Sequence, residues 1–370
     1  MPFRYTIASM DGRRIGELAR SQSAKDRTMA RGVSRNMTAS VTVPVENPLT
    51  DQMLDGPHLL LVHETGLPAG QALRFAGEVA NGQENGAGIR FNYAGPAPVL
   101  FGRALGRSAT GAGPGYTAAS PTAPRDKSLL VADIVNTANA LGHTGVVLGD
   151  ILLAGGKSYL DLAPYKTAGE ALQELFVSLD GPEYRLDPVE PSLTDEGIVT
   201  LAAMTVGPGL GQLRASTAFQ YGTAGRNVVD YDRSFDYAGT VDDVFGVGGE
   251  ATDPVVKASA STLSPARSRR DTVVSLDVPA LELRQAIVDE HLRIRHNARQ
   301  LVSLQPSPYD PERPTRTPRY GVDFIEGDVV RVIIVKRGTV RVNAYLRVYG
   351  VTWATDAAGT TVLTLTFTPT

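Results

Sequence analysis

Apolar and polar residues alternate most regularly near the end of the chain, between Gly321 and Pro369. Alternation at period two sends successive side chains to opposite faces of a strand. It predicts a strand over residues 329–335, opened by Glu326-Gly327-Asp328. Lys336-Arg337-Gly338 turns into a second strand that starts near Thr339. Val340, Val342, Ala344, Leu346 and Val348 share one face of it, and Tyr345, Arg347 and Tyr349 share the other. Asp356 to Gly359 is a second turn, from which residues 361–368 pair back. Such a β-meander is too small to fold alone, so it must be part of a barrel or sandwich.

The start of the chain reads the same way. Residues 3–9 alternate, Asp11-Gly12 is a hairpin turn, and residues 14–18 return. Residues 31–36 lead into a strand over 39–45, Asn47-Pro48 ends it, and residues 51–54 fit one helical turn. Residues 59–63, 73–79 and 89–93 complete a first β domain. Residues 110–124 are rich in Gly, Ala, Ser and Pro and read as a loop. Residues 129–141 carry apolar positions three and four apart, a helix that ends at Gly142. Thr167 and Glu170 have capping-box spacing before a second helix, whose buried face is Ala168, Leu172, Leu175, Phe176 and Leu179. A strand at 198–206, a flexible loop at Gly207 to Gly211, strands at 218–221 and 228–236, and the run 244–249 follow. Residues 280–301 predict a helix that buries Leu283, Ile287, Leu292, Ile294 and Leu301, and the proline-rich stretch 305–318 predicts an extended spacer.

The fold class is therefore α+β and mainly β, with two β domains, each a barrel or sandwich, and small α/β insertions. The boundaries are 1–105 for the first β domain, 106–197 for an α/β insert, 198–250 plus 315–370 for a discontinuous second β domain, and 251–314 for a helical and extended insertion. Frequent Gly (38) and Pro (24) fit short strands and turns. A net charge of −3 argues against sequence-independent nucleic-acid binding. The absence of Cys excludes disulfides, Cys-zinc sites and thiol catalysis. Residues 1–14 lack the apolar region of a signal peptide, and no run of eighteen apolar residues predicts a membrane span. Lys occurs only at 25, 127, 157, 166, 257 and 336, far less often than Arg, which suggests a GC-rich genome.

Candidate chemistry is sparse. Gly155-Gly156-Lys157-Ser158 looks like half a phosphate loop, but Ile151 stands where the first Gly belongs and Pro164 opposes the required helix, so a turn is expected. Asp230, Asp232, Asp236, Asp242 and Asp243 form the densest carboxylate group. Ser234 and Phe235 break a calcium-loop pattern, and a solvated or subunit-facing edge is the favoured reading. His291 and His296 lie about 140° apart round a helix, the wrong angle to share a metal. His58 and His63 flank an apolar strand, and Arg267, Arg269 and Arg270 form a small basic patch. No nucleophile elbow or His-Glu-x-x-His motif occurs. No catalytic, cofactor-binding or metal residue is assigned, no cofactor is expected, and the chain is not expected to be an enzyme.

Several stretches carry a resemblance. They are the "DG..IGEL" hairpin, the "ASVTVPV", "LLLV" and "LRFAGEV" strands, "YDRSFDYAG", and the C-terminal "V.AYLRVYGVTW" and "DAAGTTVLTLTFTP" strands. Together they resemble the minor tail or baseplate hub proteins of the Gp37-like group from actinobacterial siphophages, similar to contractile-tail baseplate hubs. The resemblance implies two tail-tube-like barrels per chain and a homotrimer that forms a pseudo-sixfold ring. It implies that the ring joins the tail tube to a threefold tip in the virion and encloses the DNA channel. The implied partners are the distal tail protein, the tape measure protein and tail-tip or receptor-binding proteins. DNA would pass without sequence-specific binding, acidic groups would limit its sticking, and no membrane insertion is implied. Two other classes stay open: a host-surface carbohydrate-binding tail protein, for which a single Trp is poor equipment, and a tail-associated cell-wall hydrolase.

Overall fold

The tight turn at Arg337-Gly338 shows how closely the local sequence sets the backbone. Both residues have positive φ (51° and 74°), and Lys336 faces Thr339 across them. That is the geometry of a two-residue type I′ hairpin turn. The computed structural model describes residues 3–18, 25–68, 72–86, 88–105, 125–154, 156–158, 167–178, 180–193, 199–236, 240–248, 255–260, 270–276, 284–285, 287–289, 291–292, 299–308, 317–356 and 360–369. They fall into two units, Met1–Tyr231 with Ser303–Thr368, and Asp232–Val302.

The first unit begins with β1 (Phe3–Ser9), β2 (Arg14–Leu18), β3 (Lys25–Gly32), β4 (Thr38–Val43), α1 (Thr50–Leu54), β5 (His58–Glu64), β6 (Leu73–Asn85) and β7 (Gly88–Ala94). These seven strands lie in the order β3-β4-β7-β6-β5-β1-β2, all antiparallel. Ile7, Val41, Leu60, Val62, Phe75 and Phe91 are buried among them. Next come α2 (Ala97–Gly102), β8 (Arg125–Asp126), α3 (Lys127–Ala140), β9 (Val146–Ile151), β10 (Lys157–Ser158), α4 (Ala168–Val177), β11 (Glu183–Leu193) and β12 (Val199–Gly207). They build a small insert around the sheet β11-β12-β9. Val199 and Leu201 of β12 pack on Ala8, Leu59, Leu61, Leu73 and Ala76, which seats the insert on the first set of strands.

The two longer helices of the insert, α3 and α4, start as their sequences require. Asp126 caps α3 by accepting from the Ser128 N–H at 2.8 Å. Thr167 caps α4 in a complete capping box. The Glu170 N–H donates to Thr167 Oγ1 at 3.2 Å, and the Thr167 N–H donates to Glu170 Oε2 at 2.7 Å. Thr167→Ala should therefore cost about 1 kcal/mol. Urea unfolding of the intact chain checks this, and an unchanged midpoint would count against the cap.

β13 (Leu213–Tyr221), β14 (Val228–Asp236), β18 (Arg299–Pro306), β19 (Val329–Lys336), β20 (Thr339–Thr355) and β21 (Thr361–Pro369) form the second set of strands, separated in sequence by β15 (Asp243–Gly248), β16 (Val256–Ser259) and β17 (Asp271–Leu276). Their spatial order is β14-β18-β21-β20-β19-β13. That matches β3-β4-β7-β6-β5-β1 position by position, and chain order matches as well. The two sets are thus repeats of one module, although β13 runs parallel to β19 where β1 runs antiparallel to β5. They are fused through six residue pairs of β20 with β3, from Gly350↔Gly32 to Thr355↔Arg27, making one 13-stranded sheet. The path is open, and no closed barrel forms among the described residues.

β20 explains why one strand serves two neighbours. Leu346 and Val348 are buried, then Val351, Trp353 and Thr355, so the buried phase shifts by one residue at Gly350. Gly350 is also where β20 begins to pair with β3. Val340 and Ala344, on the predicted apolar face, are exposed.

The second unit contains the sheet β16-β15-β17, with helical residues at 284–285, 287–289 and 291–292. Val241, Val244, Val256, Ala258 and Val288 make its core. The helix predicted to reach Leu301 does not, because Arg299 already begins β18. β12 and β15, which the sequence pattern joins to the second β domain, belong to other sheets.

Candidate functional site

Two kinds of feature stand out: a buried charge network within the first unit, and open strand edges. The network is centred on Arg31 of β3, whose side chain is 5% exposed. Its guanidinium reaches Asp187 of β11 at 2.9 Å and Glu326, just before β19, at 3.3 Å. Tyr320 donates to the second Glu326 oxygen at 2.7 Å. Arg74 of β6 lies 4.9 Å from the Tyr320 ring centroid and 2.8 Å from Glu64 of β5, and Arg319 meets Glu64 at 3.2 Å. Arg185 grips Asp187 with two nitrogens at 2.9 Å. Arg347 of β20 pairs with Glu183 and donates to the Leu210 carbonyl at 2.7 Å. Both modules and the insert are thus tied by charges, most of them hydrogen-bonded, while Arg31 Nε and Glu326 Oε1 meet as an ion pair without a hydrogen bond.

The network perturbs its members in opposite directions. Burial works against charge on Arg31, but Glu326, Tyr320 and Asp187 outweigh it and raise its pKa. Burial raises the Tyr320 pKa well above its ordinary value. For Asp187 burial pushes upward, yet the Arg185 hydrogen bond and the Arg31 charge prevail and hold it below 3.8. A carboxylate depressed on folding adds stability above its unfolded pKa, and that stability is lost as pH falls through the folded value. Wild-type stability should therefore drop as pH is lowered below about 3.8, and Asp187→Asn should flatten that limb. Urea midpoints between neutral pH and pH 3 check this; parallel curves would contradict it.

The expected flexible loop at Gly207 to Gly211 is pinned. Gly211 and Gly327 have positive φ (111° and 95°), and their backbones approach so closely that a Cβ on Gly211 would sit 2.1 Å from the Gly327 carbonyl carbon. Asp328 fixes the crossing by accepting from the Gln212 N–H at 2.7 Å and from Arg214 at 2.8 Å.

The residues singled out in the sequence do not converge. Asp230 and Asp232 are exposed on β14, and Asp236 ends that strand. Asp242 and Asp243 are buried; Asp242 accepts from the Arg270 N–H at 3.0 Å, and Asp243 lies 3.4 Å from Lys257. His58 Nδ1 donates to the Gly56 carbonyl at 3.1 Å, which leaves Nε2 to accept from Tyr93 at 2.9 Å. Burial lowers its pKa, so it stays neutral. His63 contacts Glu190 at 2.8 Å. His291 lies in the helical segment, whereas His296, Arg267 and Arg269 lie outside the described residues. Gly156 leads into β10, a strand paired with β8, rather than into the helix a phosphate loop needs. Among the described residues no group of three His, Asp or Glu side chains is placed to hold a metal, and no helix is long and apolar enough to cross a membrane.

Three strands end the sheet path on one side only: β2 beside β1, β13 beside β19, and β14 beside β18. A strand edge presents unpaired N–H and C=O groups and invites another strand. Val229 on β14 and Leu213 on β13 are exposed apolar residues at such edges.

No protein-family model and no curated protein sequence matches the chain. Solved structures do match over nearly its full length. The tail protein from Neisseria meningitidis MC58 aligns at a TM-score of 0.58 and 12% identity, covering 100% of this chain and 97% of that one. The 43 kDa tail protein of prophage MuSo2 from Shewanella oneidensis aligns at 0.58 and 10% identity, covering 99% and 98%. The prophage tail protein gp18 from Listeria monocytogenes EGD-e aligns at 0.50 and 11%, covering 98% and 94%. At such identities the likeness is one of fold, which this chain shares with these tail proteins.

Proposed function

We propose that this chain is a structural protein of a phage tail, a hub at the tail tip. The observation that carries the reading is the internal repeat: two modules of one strand order, fused edge to edge through β20 and β3, with further edges open. A unit that already joins two copies of a module side by side is built to continue the series with more copies of itself. Three chains would set six modules in a ring, matching a sixfold tail tube on one side and a threefold tip on the other. The modules are the tube-like units expected at 1–105 and at 198–250 plus 315–370, with β12 reassigned to the insert and β15 to the second unit. Within tail proteins, the C-terminal strands favour the hub group of actinobacterial siphophages. The distal tail protein, tape measure protein and receptor-binding tip proteins are then the neighbours, and DNA passes through the ring.

The carbohydrate-binding alternative loses its best residue. Trp353, the single Trp, is 2% exposed and packs on Tyr320 at 4.9 Å, so it is not displayed for a sugar. Counting the copies of this chain per tail, by mass measurement of the purified tail tip, tests the proposal. Three copies are expected, and a single copy would overturn it.

A further inference from the structure

The repeat also identifies where one copy would meet the next. Within the chain, the outer strand of the first module, β3, adds to the C-terminal half of the long strand of the second module, β20. The equivalents in the other direction are β14, the outer strand of the second module, and the C-terminal half of β6, the long strand of the first. Among the described residues that half of β6 has a paired strand on one edge only. β7 pairs with it on one side, from Glu78↔Ala94 to Asn85↔Gly88. β5 pairs with β6 only between Leu73 and Glu78. Residues 80–84 are accordingly exposed without exception, and among the described strands none lies along their second edge.

We infer that β14 of a second copy of this chain adds to residues 80–84 of β6, as β3 adds to β20 within one chain. The inference rests on the ring reading above and gives it a strand-level joint. Main-chain hydrogen bonds supply the attraction in such strand addition, which suits two polar strands. β14 offers Asp230 and Asp232 beside the exposed Val229, and β6 offers Gln83 and Glu84. A second copy is favoured over another protein because the module already makes this joint once, with its own strands. The two halves of the joint lie on different modules, so the contact is head-to-tail and propagates until rotation closes it.

The chain has no Cys, so introduced thiols report without background. Gln83→Cys or Glu84→Cys would be combined with Asp230→Cys or Asp232→Cys in the full-length chain carried in assembled tails. The four pairs span both faces, because a disulfide needs Cα atoms roughly 4.4–6.8 Å apart. Oxidation should convert most of the chain, in at least one pair, to a covalent trimer on a non-reducing gel, while each single variant stays monomeric. Three copies per tail with no crosslink from any pair, the thiols still reacting with maleimide, would overturn this joint and leave the ring standing. A ladder running past three would support the joint and overturn the three-chain ring. One copy per tail would overturn both.

Discussion

Glu326→Leu is expected to lower the unfolding free energy by about 3–5 kcal/mol, because it strands Arg31 without its most buried partner. The Glu326 side chain is 1% exposed, so solvent does not replace what is lost. The Tyr320 hydroxyl loses its acceptor in the same step. Double substitution of Arg31 and Glu326 by apolar residues should cost less than Glu326→Leu alone, since no charge then remains unpaired at that contact. Urea unfolding of the three proteins gives the comparison. A loss below about 1 kcal/mol for Glu326→Leu would show that Asp187 alone satisfies Arg31.

The second large effect is expected at Phe219. Its side chain is fully buried, with Phe324 at 5.3 Å and Phe367 at 6.0 Å between ring centroids. Phe324 continues to Tyr320, Tyr320 to Trp353, and Trp353 to Phe3, so one line of edge-on rings runs from the second module to the first strand of the first. Phe219→Ala should cost about 3–5 kcal/mol through lost burial and the cavity left behind. Val340→Ala, at a 59% exposed position, should stay within about 0.5 kcal/mol. Equal effects at the two sites would contradict this assignment of the core.

Much of the strand content was legible because its signals are local. The C-terminal meander, the Asp11-Gly12 hairpin and the Thr167–Glu170 box all rest on residues within a few positions of each other. β3 was not legible. Its sequence, KDRTMARG, has four charged residues in eight and no β-branched apolar residue, so propensity gives no strand. It is a strand because β4 and β20 hold it on both edges. The charge network was invisible for a related reason. Arg31 and Asp187 are 156 residues apart, and Glu64 and Arg319 are 255 apart. Glu326-Gly327-Asp328 looked like a strand opening, and only the fold shows that its two acids close contacts with Arg31 and Arg214. Gly211 looked flexible because glycine permits mobility, whereas here it permits contact with another backbone. The repeat itself lies in strand order rather than in residues, so it emerges only once neighbours are known.

The account turns on whether the module that repeats within one chain also repeats between chains. A cross-sectional density map of the assembled tail at the level of this protein decides it most directly. Six module-sized lobes in one annulus, alternating between the two modules and traced to three chains, is the predicted result. A single copy with β14 and residues 80–84 of β6 facing solvent would contradict it.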